Sequence, residues 1–241
     1  MKDIHWLSRT TLLIGEEGLK KLMNAHVLIV GLGGVGSYAA ECIARAGVGK
    51  MTIVDGDVVD PTNRNRQLQA LSSTHGMPKA DLMCERIKDI NPEIDVTAIR
   101  EFLSPEKAFE IIQSADFDYI IDAIDSITPK LNLLTAAFRL EKKLISSGGA
   151  GGKTDPTQLK VADISKVYNC VFVQEVRKRL KQEKIYKGIE VVFSSEHPPK
   201  EALIMTDGNN YKKSAYGTIS YMPAAFGGVC ASVVIRDLIR D

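Results

Sequence analysis

Short apolar runs alternate with stretches of helical period through the first half of the chain. The run at 27–30, VLIV, is too short for a helix and predicts a strand buried on both faces. From 34 to 46, Val35, Ala39, Cys42, Ile43 and Ala46 recur at helical spacing, and Gly47 closes the helix. MTIVD at 51–55 predicts a second strand, and 79–90 a helix stopped by Asn91-Pro92. The alternation continues with a strand over 94–101, a helix over 105–114, a strand over 119–125, a helix over 131–140 and a strand over 143–148. Ahead of it all, LLIGEEGLKKLMNA (12–25) is amphipathic and reads as helical. Strands alternating with helices in this way predict a doubly wound, Rossmann-like α/β sheet with mostly parallel strands.

Beyond Gly148 the pattern changes. GGAGGKTDP (148–156) is a glycine-rich connection, and 158–165 and 188–195 alternate as half-exposed strands. A basic helix over 171–184 lies between them, 196–216 reads as a mobile crossover loop, and 224–239 as a helix rich in small residues. The second half therefore extends the same sheet with antiparallel strands. The expected organisation is a single domain over 1–241, with a lead-in (1–25), a nucleotide-binding core (26–150) and a substrate-binding and dimer extension (151–241).

Composition narrows the class. Apolar residues at 44% and charged residues at 25% are ordinary for a globular chain, and a formal net charge of +1 argues against bulk attraction to polyanions. Cys42, Cys84, Cys170 and Cys230 form no C-x-x-C pair, so neither a zinc knuckle nor a disulfide framework is expected. No apolar run of membrane-spanning length is read, and the cytoplasm is the expected compartment. His5, His26, His75 and His197 lack metal-ligand spacing.

The candidate chemistry begins at GLGGVGS. Gly31, Gly33, Gly34 and Gly36 stand where a strand becomes a helix, a place that brings phosphates onto backbone amides. Asp55 ends the next strand, where a carboxylate accepts ribose hydroxyls. Asp57 is read equally as a loop cap and as a nucleotide contact. Asn63, Arg66 and Lys79 then add positive charge around a helix start, suited to the β and γ phosphates of a triphosphate rather than to a dinucleotide. Asp122 and Asp125 close the predicted strand YIIDAID at the ligand-binding edge. Asp125 is the expected magnesium ligand, because alternation points Asp122 elsewhere.

These motifs together resemble the ubiquitin-activating-enzyme-like adenylyltransferases, which use ATP and Mg²⁺ to adenylate a carboxylate and release pyrophosphate. The resemblance implies that Asp55 holds ribose, that Asn63, Arg66 and Lys79 handle phosphates, and that Asp125 holds magnesium. It also implies a homodimer in which Arg9, placed ahead of Gly15 at the family spacing, reaches the site of the other copy. Over the whole chain, SRTTLLIGEEGL, SSGGAGGKTDPTQLKVADIS, VRKRLK and VVFSSE are similar to the branch that dehydrates threonylcarbamoyladenosine in tRNA. A tRNA partner gives the basic helix a role, with Arg177, Lys178, Arg179 and Lys181 as the binding residues and Lys184, Lys187, Lys200, Lys212 and Lys213 nearby. The sulfur-carrier activators of the same superfamily typically carry two zinc C-x-x-C pairs, which this chain lacks; adenylation of a sulfur-carrier protein's C-terminal carboxylate is the alternative. A nicotinamide-dependent oxidoreductase is disfavoured by Arg66 and Lys79. A monovalent cation at the glycine loops and a sulfur-transfer accessory protein stay open.

Overall fold

The computed structural model describes residues 4–205 and 214–240. Seven strands form one sheet: β1 (His26–Val30), β2 (Lys50–Val54), β3 (Asp95–Ile99), β4 (Tyr119–Asp122), β5 (Leu144–Ser147), β6 (Leu159–Asp163) and β7 (Glu190–Ser194). Their order across the sheet is β3-β2-β1-β4-β5-β7-β6, and every neighbouring pair is parallel except antiparallel β6–β7. The chain thus winds outward from β1 in one direction and from β4 in the other, and the doubly wound expectation holds.

Alternation within the strands explains why they read as continuous apolar runs. Val27 and Ile29 face one core with Met51, Ile53, Ile121 and Ile145; it is closed by α2 (Gly36–Arg45), α3 (Lys79–Ile90) and α7 (Tyr221–Arg240). Leu28 and Val30 face the other with Val54 and Ile120, against α4 (Pro105–Gln113) and α5 (Ile127–Arg139). A third cluster seats α6 (Val171–Leu180) through Val173, Val176 and Leu180 on Val191 and Phe193 of β7. Burying both faces of a parallel sheet this way is what removes the polar alternation from its strands.

Several boundaries differ from the sequence expectation. The helix over 12–25 belongs to α1 (Ser8–Asn24), which is broken at Gly15, where φ is +75°. β4 stops at Asp122, so Ala123, Ile124 and Asp125 lie beyond the strand. α5 begins at Ile127 rather than 131, because Pro129 falls in its first turn, where no backbone donor is needed. α6 ends at Leu180, short of 184. The stretch read as a crossover loop carries two short antiparallel strands, β8 (Leu203–Met205) and β9 (Ser214–Tyr216). Lys212 and Lys213 lie outside the described residues.

The C-terminal helix corrects the expectation about membrane-length runs. α7, at 20 residues with a window of mean hydropathy 1.5, is long and apolar enough to cross a bilayer by composition. In the fold one face of it packs into the core: Met222, Phe226, Cys230 and Val234 are each fully buried.

Candidate active site

Ligands bind in doubly wound folds where the strand order reverses, outside the carboxyl ends of the strands. Here that point lies between β1 and β4, and the glycine turn fills it. Gly31 holds φ +88°, and a Cβ there would press on the Ala123 carbonyl carbon and oxygen at 2.9 Å. At Gly36 a Cβ would overlap the Gly31 carbonyl oxygen, and at Gly34 it would meet Pro223 Cβ at 2.8 Å. Gly33 differs: the nearest protein atom to its Cβ position is Gln67 Nε2 at 3.8 Å, so its bareness leaves room above the first turn of α2. A glycine loop that leads into a helix N-terminus is suited to seat an anion.

Asp55, just beyond β2, is tied to this turn. Its Oδ2 accepts from the Leu32 amide at 2.6 Å and its Oδ1 from the Asp57 amide at 2.8 Å. Burial raises its pKa, against the pull of Lys79 and the two amides. An ionised carboxylate offers about four lone-pair sites, so two remain for hydroxyl donors. Lys79, at the first position of α3, is buried, and its Nζ pairs with Asp57 Oδ2 at 3.1 Å. Its backbone amide also donates to the Asp57 carbonyl at 3.0 Å. Asp57 therefore holds Lys79 beside Asp55, a more specific arrangement than a loop cap.

Arg66 reaches the turn through its main chain, its carbonyl lying 3.3 Å from the Gly34 Cβ position. The Arg66 guanidinium folds back on the Thr62 carbonyl (3.0 Å) and Asn65 Oδ1 (2.8 Å). Asn63 is buried, and its Oδ1 accepts the Asp60 amide at 3.1 Å, so its carboxamide oxygen caps the local turn and only its NH₂ can serve a phosphate.

The two strand-end aspartates separate, though not by strand alternation. Asp122, the last residue of β4, is fully buried and bonded to Lys130. Asp125 is exposed in the loop beyond the strand, at the ligand edge. Magnesium needs one or two carboxylates beside phosphate oxygens; no cluster of three metal-type ligands occurs among the described residues, and Asp125 suits the smaller requirement.

Two predicted groups lie elsewhere. Arg9 is exposed near the start of α1, and Leu7, two residues before it, packs over Gly47, its Cδ1 2.8 Å from where a Cβ would stand there. Gly47 follows the far end of α2, one helix length from the glycine turn, so Arg9 does not reach its own chain's site. On α6, Lys178 and Arg179 are exposed, as is Lys181 just after it. Arg179 pairs with Glu175 at 3.0 Å. Arg177, also expected to contact tRNA, is engaged within the fold: its Nη1 donates to the carbonyls of Ile164, Ser165 and Val167 at 3.0–3.2 Å, fixing the segment before the helix.

Sequence reasoning missed three features. Lys130 is fully buried, and a charged residue inside the apolar period of α5 was the available signal. Gln67 and Gln69 flank the glycine turn with their Oε1 atoms buried and without hydrogen-bond partners. Lys153, in the glycine-rich connection, is buried against the carbonyls of Asn169 and Glu196. Cys170 and Cys230 are both buried, as expected of packed small side chains, and burial pushes the Cys230 thiol up to about 12.

The model of the ThiF family matches residues 7–241. The tRNA threonylcarbamoyladenosine dehydratase of Bacillus subtilis (strain 168) is 43% identical over 99% of this chain and 96% of its own length. The enzyme of the same name from Escherichia coli (strain K12) is 37% identical over 95% of this chain and 92% of its own. Among solved structures, the E. coli tRNA N6-threonylcarbamoyladenosine dehydratase, TcdA, in complex with ATP superimposes with a TM-score of 0.89 at 36% identity, covering 98% of this chain and 95% of that one.

Proposed function

The chain belongs to the ThiF family, and from that premise we propose that it uses ATP to dehydrate threonylcarbamoyladenosine in tRNA through an acyl adenylate. Supporting this reading most directly is near-full-length identity to dehydratases of that name, combined with a glycine turn, a ribose-type carboxylate and a buried lysine at the switch point. The sulfur-carrier alternative has no comparable support over the second half of the chain.

In the proposed reaction, ATP lies with its phosphates over the glycine turn and its ribose hydroxyls on Asp55. Lys79 turns from Asp57 to the phosphates, and Arg66 unfolds from the Thr62 carbonyl to join it. The threonyl carboxylate attacks the α-phosphorus, the bond to the bridging oxygen breaks, and pyrophosphate leaves. Positive side chains there stabilise charge that grows on the departing group. Magnesium held by Asp125 and phosphate oxygens would screen the same charge. The ureido oxygen of the substrate, already tethered close to the activated carbonyl, then attacks it. AMP departs with the former carboxylate oxygen and the ureido N–H gives up a proton, so one water is lost overall and a ring is formed. No protein nucleophile enters this scheme, in keeping with the burial of Cys170 and Cys230.

The remaining assignments belong to the same proposal. Residues 151–241 supply the tRNA contacts, through Lys178, Arg179 and Lys181. The chain works as a cytoplasmic homodimer: α1 presents Leu12 and Leu13 at 88% and 85% exposure, an apolar face suited to a second copy, with Arg9 beside it to reach that copy's phosphates. ATP–pyrophosphate exchange tests the reading. Exchange should require tRNA carrying threonylcarbamoyladenosine; exchange supported instead by a small carrier protein with a C-terminal glycine would overturn it.

A further inference from the structure

Directly beneath the site, side chains with no part in the chemistry above form one closed polar unit. Lys130 Nζ lies 2.6 Å from Asp122 Oδ2, 3.2 Å from Ser146 Oγ and 3.0 Å from the Ser147 carbonyl oxygen. Ser146 Oγ donates to the same Asp122 oxygen at 2.6 Å, and the Phe172 ring centre is 5.6 Å from the ammonium. The lysine side chain is 2% exposed and the aspartate 0%. Parallel pairing of β4 and β5 sets Asp122 opposite Ser146, so the unit bridges the carboxyl ends of two central strands.

A buried ion pair is weak evidence for stability. Removing charges from water costs much of what their attraction returns, and apolar replacements of whole buried pairs are often neutral or stabilising. What the unit does instead is fix backbone. Asp122 Oδ1 accepts the Ile124 amide at 3.1 Å, which sets the turn that leads to Asp125 and presents Ala123 to the glycine turn. Lys130 holds the Ser147 carbonyl, which sets the exit of β5 into the glycine-rich connection at 148–152. Both loops sit at the ligand edge, and the lysine is bonded toward both.

We infer that Lys130 is a positioning residue for adenylation, acting through Asp122 on the Asp125 turn and through Ser147 on the glycine-rich connection. This rests on the adenylation reading above. A displacement of about 1 Å in a positioning group can cost on the order of a hundredfold in rate, so the effect belongs in kcat rather than in nucleotide affinity.

The test compares Lys130→Met with the double variant Lys130→Met/Asp122→Asn. The single variant strands a buried carboxylate and should lose thermal stability. In the double variant, asparagine still accepts the Ile124 amide and no charge is orphaned, so Tm should recover. The inference expects kcat for ATP–pyrophosphate exchange to stay about tenfold or more below the wild type in the folded double variant. KM for ATP should move less than about threefold, and amide exchange should quicken in peptides spanning 123–126 and 148–152. Activity that returns along with Tm, or unchanged exchange in both loops, would overturn it. Should the double variant not fold, Ser146→Ala removes one hydroxyl and keeps both charges. A several-fold loss of kcat at constant KM supports the inference, and a wild-type kcat refutes it. Amide exchange needs no substrate, so an error in the assigned substrate would leave that arm intact and show as an inactive wild type.

Discussion

Replacing Lys79 with methionine separates the catalytic from the structural role of that side chain. Lys79 is 5% exposed, but its partner Asp57 is 39% exposed, so water screens the pair from one side. An ion pair of that kind contributes roughly 0.2–1 kcal/mol, and methionine keeps most of the aliphatic stem in place. For a chain of this size such a loss lowers Tm by at most about 2–4 °C. The catalytic loss is larger. Removing one preorganised donor from a developing oxyanion costs about 10²- to 10³-fold in kcat, or roughly 3–4 kcal/mol. At 25 °C the variant should therefore be folded and nearly inactive. ATP–pyrophosphate exchange with modified tRNA measures the second quantity, and a thermal melt measures the first. A folded Lys79→Met that exchanges within about fivefold of the wild type would refute the argument that this cation meets the phosphates. Asp57→Asn sharpens the comparison: it releases Lys79 without removing it, so exchange should fall far less than in the lysine variant.

Other perturbations test other levels of the account. Gly31→Ala combines a left-handed backbone with a Cβ pressed against the Ala123 carbonyl; it should cost at least about 1–2 kcal/mol in a denaturant melt and abolish nucleotide binding, and wild-type binding of ATP would contradict the turn geometry. Burial, aided by Lys50, lowers the pKa of His26, so the unfolded chain binds a proton there more readily than the folded one. Its contribution to stability is present above about pH 6.5 and is lost as pH falls through the folded-state value. Tm should drop between pH 7.5 and 5, less so in His26→Gln, and superimposable pH profiles would remove His26 as a cause. Alanine at Lys178, Arg179 and Lys181 together should weaken tRNA binding and flatten its salt dependence; Arg177→Ala should instead lower Tm, because its guanidinium holds three carbonyls. Unchanged tRNA affinity in the triple variant would leave that surface without a nucleic-acid role.

Much of the fold is legible in local patterns because its parts are local. The runs at 27–30 and 51–54 are buried on both faces, so each declares itself without knowledge of its neighbours, and the helix over 79–90 is bounded by its own stop signal. Gly31 and Asp55 are readable for a similar reason: each sits at the end of a strand, and the fold places strand ends at the ligand edge. What is not legible depends on register and distance. Lys130 is an isolated charge on α5 until β4 and β5 align Asp122 with Ser146. The role of Arg177 requires knowing that Ile164, Ser165 and Val167 turn their carbonyls toward it. Ending β4 at Asp122 likewise reflects the Ile124 amide bond to that carboxylate, which a period-two pattern through Asp125 conceals. The short strands β8 and β9 pair with each other outside the main sheet, and their polar setting hides them.

The central claim is that the carboxylate activated at this site belongs to threonylcarbamoyladenosine in tRNA. Nucleoside mass spectrometry of modified tRNA incubated with the protein and ATP tests it directly. The threonylcarbamoyl nucleoside should lose one water, with AMP and pyrophosphate formed in step, and nothing should change without ATP. An unaltered nucleoside after complete incubation with ATP and magnesium would contradict it.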